Sequence, residues 1–142
     1  MESPGYPSTF DGLLMLVARL RGPDGCPWDK EQDRDSMKRY LLEECYELVE
    51  AIDERHTGKL VEELGDVLFH MAFQVQMGVE EGALTDEQVF QTVNDKLVRR
   101  HPHVFGDAKV SSAREAETRW DHIKQGEAAD ASASVLDGIP AA

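Results

Sequence analysis

Two nine-residue stretches repeat one another at an offset of 19 positions. They are Leu41-Leu42-Glu43-Glu44-Cys45-Tyr46-Glu47-Leu48-Val49 and Leu60-Val61-Glu62-Glu63-Leu64-Gly65-Asp66-Val67-Leu68. Each reads apolar pair, Glu pair, two spacers, carboxylate, apolar pair. Residues three apart share a helix face, so Glu44 pairs with Glu47 and Glu63 with Asp66. On neighbouring helices the four carboxylates would converge and repel one another unless cations neutralised them. A single Glu-x-x-Glu on a helix is usually a solvated face. Two copies in one phase point to a metal site instead.

Helical phase selects among the acids. In the first copy Leu41, Leu42, Cys45, Leu48, Val49 and Ile52 form an apolar stripe, with Glu43, Glu47, Glu50 and Glu54 roughly opposite and Glu44 on the border. In the second, Leu60, Leu64, Val67, Leu68, Met71 and Val75 are the stripe, Glu62 and Asp66 lie opposite, and Glu63 is on the border. The expected ligands are therefore Glu44, Glu47, Glu63 and Asp66, with Glu43 and Glu62 further out. At about 1.5 Å per residue, Glu47 lies roughly 15 Å before a turn at Thr57 and Asp66 roughly 13 Å after it, level in an antiparallel hairpin. Gly65 is expected to let the facing backbone approach. An all-carboxylate set suits Mg2+, with Mn2+ a possible substitute. A ferritin-like di-iron site needs Glu-x-x-His, whereas the third position here is Glu47 or Asp66, and His70 falls four after Asp66.

Capping and breaking signals predict an all-α chain of about five helices around that hairpin. The first runs from Thr9 to about Arg21, capped by Ser8. Gly22 to Pro27 breaks it, and a loop continues through Trp28 to Asp35. The second and third run from about Ser36 to Arg55 and from Lys59 to about Glu81. Thr85-Asp86-Glu87-Gln88 opens a fourth, which His101-Pro102 ends. Ser112-Ala113-Arg114-Glu115 opens a fifth, reaching about Gln125. Residues 1–125 are expected to be a single domain, and 126–142, rich in Ala, Ser and Asp, a flexible tail or truncated linker. Phe69, Ala72 and Phe73 lie off the main stripe of the third helix. A helix apolar nearly all round needs burial on all sides, so a homodimer or higher homo-oligomer, joined through a helical bundle, is expected.

The 142 residues suit one ordinary core. A net charge of −13 excludes a general nucleic-acid binder. The two cysteines, Cys26 and Cys45, form no metal-like pair and make a reducing cytoplasm the default. Leu13–Ala18 is too short for a membrane span or signal core. Lys96, Arg99 and Arg100 share one side of the fourth helix and read as a phosphate clamp. Alone they would read as a basic C-terminus complementing the helix dipole. Trp28 and Trp120 could each stack on a base or plug a core edge, and Lys30 and Lys124 are secondary phosphate contacts.

Together these segments resemble the all-α nucleoside triphosphate pyrophosphohydrolases, and among them the MazG family. Beside the carboxylate signature, Gly25-Cys26-Pro27-Trp28-Asp29-Lys30-Glu31-Gln32, Asp95 to Phe105 and Ser134-Val135-Leu136-Asp137-Gly138-Ile139-Pro140 follow MazG order. The resemblance implies metal-dependent hydrolysis of a nucleoside triphosphate, ribo or deoxy, to monophosphate and pyrophosphate. It places magnesium on Glu44, Glu47, Glu63 and Asp66, Lys96 and Arg99 or Arg100 near the phosphates, and Trp120 near the nucleotide. Glu47, or an unliganded acid such as Glu43, would accept the proton of the attacking water. Many MazG proteins carry two such domains in tandem, one sometimes inactive, so a single-domain form and a fragment are both open. The rivals are a dUTP/dCTP or phosphoribosyl-ATP pyrophosphohydrolase, and an inert metal- and nucleotide-binding module.

Overall fold

A computed structural model describes residues 5–138, with side chains to residue 131. Among these residues every regular element is helical: α1 (Phe10–Arg21), α2 (Pro27–Glu31), α3 (Lys38–Glu54), α4 (Thr57–Glu80), α5 (Asp86–Arg99), α6 (Pro102–Phe105) and α7 (Ala113–Gly138). The chain divides into two compact units, one ending at Asp86 and one beginning at Glu87.

The all-α expectation holds, with seven helices rather than five. The two additions are single turns that begin at Pro27 and Pro102. Proline is pre-organised for the first helical position and needs no hydrogen bond there, so residues read as breakers here start helices. The cap of α1 is Thr9 rather than Ser8, its Oγ1 accepting the Gly12 N–H at 3.0 Å. At the far end α7 continues past Gln125 to Gly138.

In the first unit α3 turns back on α4 through two residues. Arg55 takes a left-handed conformation (φ 54°, ψ 35°) and returns its N–H to the Ile52 carbonyl. His56 then caps α4, its Nδ1 accepting the Lys59 N–H at 3.1 Å. A Glu54–Lys59 ion pair of 2.8 Å spans the turn. α4 also packs on α1. Between them Val17, Met37, Ala72, Phe73 and Met77 are buried, with Phe10, Leu13, Leu14, Tyr40 and Phe69 packed around them. The α4 residues that bury deepest are thus the ones off the expected stripe. Half of the stripe is exposed, with Leu42, Val49 and Ile52 on α3 and Leu64, Leu68 and Met71 on α4 open to solvent, while Leu41, Cys45, Leu48, Leu60 and Val67 are half-buried and Val75 is buried.

Arg21 fastens α2 in place. Its Nε and Nη2 grip the Glu80 carboxylate at 2.9 and 3.2 Å, and its Nη1 reaches the Gln32 carbonyl at 3.0 Å. In the second unit Ser112 Oγ accepts the Glu115 N–H at 3.1 Å, while the Glu115 carboxylate turns to Ser111. The capping box is therefore half formed.

Candidate metal centre

The side of α3 that meets α4 carries Tyr40, Glu44, Glu47 and Ala51, successive positions three or four apart. The matching side of α4 carries Glu63, Asp66 and His70. One carboxylate oxygen from each of Glu44, Glu47, Glu63 and Asp66 lies within 4.8 Å of all the others. The four expected ligands are thus brought together, with Glu47 exposed and the other three half-buried. Glu43 and Glu62 are exposed and outside the cluster. The carboxylates converge where the two helices meet. Gly65 makes no close approach, since a Cβ there would meet nothing within 4 Å.

The electrostatics of this arrangement are unfavourable as they stand. Burial, a hydrogen bond to Glu47 and the charges of Glu47, Asp66 and Glu63 push the Glu44 carboxyl up to about 7. Burial first, then the Glu47 and Asp66 charges, also raise Glu63. Glu44 Oε2 and Glu63 Oε2 are shut off from solvent without a hydrogen-bond partner. Buried acceptors of this kind are normally satisfied, and here two of them face a cluster of like charge. A divalent cation would satisfy the oxygens and cancel the repulsion, so the donor set fits one. The set is all oxygen, as a hard cation prefers. His70, one turn beyond Asp66, is buried, and that burial holds its imidazole below the usual value. It is not among the converging ligands.

Trp28 and Lys30 lie on α2 in the same unit, both exposed. The Trp28 ring meets Tyr40 edge-on at 5.7 Å, and Tyr40 sits one turn before Glu44. The remaining expected contacts, Lys96, Arg99, Arg100, Trp120 and Lys124, all belong to the second unit. There the Arg100 guanidinium lies 5.2 Å over the Trp120 ring. Both arginines pair with one residue that sequence reasoning passed over, Glu127. Its signal was present: Glu127 stands seven after Trp120, two turns along one helix face. Lys96 is half-buried and Lys124 exposed.

A model of the MazG nucleotide pyrophosphohydrolase domain matches residues 32–105. The chain belongs to the MazG family. It is 50% identical over 115 residues to the nucleoside triphosphate pyrophosphohydrolase/pyrophosphatase MazG of Thermotoga maritima, covering 81% of this chain and 44% of that one. It is 46% identical over 133 residues to the nucleoside triphosphate pyrophosphohydrolase of Escherichia coli K12, covering 92% and 51%. It is 46% identical over 131 residues to the uncharacterised Bacillus subtilis protein YabN, covering 92% and 27%. The chain thus spans between about a quarter and a half of these relatives' lengths. The crystal structure of a MazG-related protein from Thermotoga maritima superposes with a TM-score of 0.67 at 28% identity, over 81% of this chain and 98% of that one. The MazG match takes in both carboxylate helices and the Lys96–Arg100 segment, and stops before Trp120, Lys124 and Glu127. Among the described residues no helix is long and apolar enough to cross a membrane.

Proposed function

We propose that this chain hydrolyses nucleoside triphosphates to the monophosphate and pyrophosphate, using Mg2+, or Mn2+ in its place, held by Glu44, Glu47, Glu63 and Asp66. The observation that carries the reading is the convergence of those four carboxylates with two buried, unpartnered oxygens among them. Membership of the MazG family supports the reaction class. Bound divalent ions would supply positive charge for the triphosphate and a more acidic water as nucleophile.

The protein's own residues divide the remaining work. Exposed Glu47, or Glu43 on the adjoining position of α3, accepts the water's proton. Lys96 and Arg99 neutralise phosphate oxygens as charge builds on the leaving pyrophosphate. Lys30 and Lys124 are assigned to the substrate's phosphates and Trp120 to its base, with Arg100 supporting the basic segment. The protein acts as a homodimer, because the solvent-exposed stripe of α3 and α4 is too apolar to stay in water.

A panel of ribo- and deoxynucleoside triphosphates with magnesium, resolved by chromatography, tests this directly. Monophosphate plus pyrophosphate, lost on chelation, supports it, and the substrate ranking separates a general enzyme from one confined to dUTP, dCTP or phosphoribosyl-ATP. Folded protein that binds magnesium yet forms no product from any of them would reduce the chain to a binding module.

A further inference from the structure

Glu127 is the residue of the second unit whose contacts the proposed function leaves unexplained. Its two carboxylate oxygens are divided between neighbouring arginines. Oε1 accepts from Arg99 Nε, and Oε2 accepts from Arg100 Nε at 2.9 Å and lies 2.8 Å from its Nη2. These bonds hold its carboxyl below the usual range, so it stays ionised. The two arginines are held very differently. Arg100 has a side chain only 14% exposed, clamped between Glu127 and the Trp120 ring. Arg99 is 54% exposed and engaged only through Nε. A guanidinium carries five donors in a rigid planar fork. The grip on Nε leaves Nη1 and Nη2 of Arg99 without a partner among the described residues, on a side chain that is more than half exposed. That fork matches two oxygens of a phosphate.

We propose that Glu127 is a positioning residue that presents the outer fork of Arg99 to the substrate's phosphates, with Arg100 as its buried anchor. The proposal rests on the reading that Arg99 meets phosphate. A carboxylate that merely competed for Arg99 would cover its outer nitrogens, whereas this one takes only its Nε and makes its Nη2 contact with Arg100. Fixing a long side chain before binding removes part of the ordering cost of binding. Losing Glu127 should therefore weaken phosphate binding although it removes a negative charge.

The test is a calorimetric titration of the full chain with inorganic pyrophosphate in magnesium, with thermal unfolding recorded alongside. Arg99→Ala, Glu127→Ala, Glu127→Gln and the double variant Arg99→Ala/Glu127→Ala are compared. Glu127→Ala should weaken binding about 3- to 10-fold. Glu127→Gln keeps one acceptor oxygen and should recover part of that loss. The double variant should bind no worse than Arg99→Ala alone, because Glu127 acts through Arg99. Unchanged or tighter binding by Glu127→Ala, or losses that simply add in the double variant, overturns the positioning role while the phosphate reading stands. Wild-type protein that binds no pyrophosphate, or an Arg99→Ala variant that binds it unimpaired, overturns the phosphate reading and this inference with it.

Discussion

Glu44 is the residue at which the chain's electrostatics oppose its fold most strongly. Its carboxyl is raised from 4.5 to about 7 by burial and then by Glu47, Asp66 and Glu63. The folded, metal-free state therefore binds more protons than the unfolded chain between those two values. Stability in chelator must fall as pH rises through that window. The penalty is absent below about 4.5, where both states are protonated, and complete above about 7. Urea denaturation in chelator at pH 5 and pH 8 should show the loss, and Glu44→Gln should remove this contribution. A wild-type protein no less stable at pH 8 than at pH 5 would contradict the crowded, buried site. Magnesium requires an ionised carboxylate, so its binding should release protons from this group near pH 7, and fewer at pH 9. Calorimetry in two buffers of different ionisation heat reads that release. Glu63 tests the ligand assignment itself. Glu63→Ala should cut turnover by more than the roughly 10- to 100-fold typical of losing an outer-shell partner, with helical circular dichroism unchanged. Full activity in that variant would remove Glu63 from the metal site.

At the scale of the element, the carboxylate pairs were legible because i, i+3 spacing is a geometric fact about any helix. Two copies at one offset left little freedom in how they could meet. The prolines were harder to read, since the same residue that ends a helix also opens one at its first position. Pro27 and Pro102 do the latter. Periodicity identified the stripe on α3 and α4 but carried no information on which neighbour meets which face. The structure gives the core with α1 to Phe69, Ala72 and Phe73. Glu127 was missed because the Ala- and Ser-rich composition around it looks like a solvated tail, while composition does not report a paired charge. The turn between α3 and α4 supplies a test at this scale. Arg55 adopts φ 54° without a glycine's freedom, a conformation glycine accepts at no steric cost. Arg55→Gly relieves a left-handed cost of about 1–2 kcal/mol and adds about 0.4–1 kcal/mol of unfolded-state entropy, so it should stabilise the fold by up to about 1 kcal/mol and leave turnover unaltered. Denaturant unfolding measures it, and a loss of similar size would mean that the Arg55 side chain stabilises the fold by more than its left-handed backbone costs.

For the molecule as a whole, the decisive feature is what α3 and α4 leave uncovered. Leu42, Tyr46, Val49 and Ile52 on one helix and Val61, Leu64, Leu68 and Met71 on the other are each 37–65% exposed. On each helix these residues lie away from the carboxylate side. A monomer seldom leaves so much apolar side-chain surface in water. The same two helices carry all four carboxylates, so whatever covers the outer face also stiffens the scaffold of the site. A second copy is the simplest cover, because a two-fold contact needs only a self-complementary patch. Val49→Lys with Ile52→Lys changes two side chains already open to solvent, so a single chain should fold with no more than about 0.5 kcal/mol of change. An interface would instead have to bury two unpaired charges, which it cannot tolerate. Sedimentation equilibrium should therefore find the wild type at twice the chain mass and the double variant at the chain mass, with helicity retained. Turnover should fall in step with dissociation if the paired hairpins hold the ligands level. A wild type that sediments as a single chain would leave the apolar face to some other partner. A variant that stays dimeric would place the interface on a different surface, such as the exposed Val93 and Leu97 side of α5.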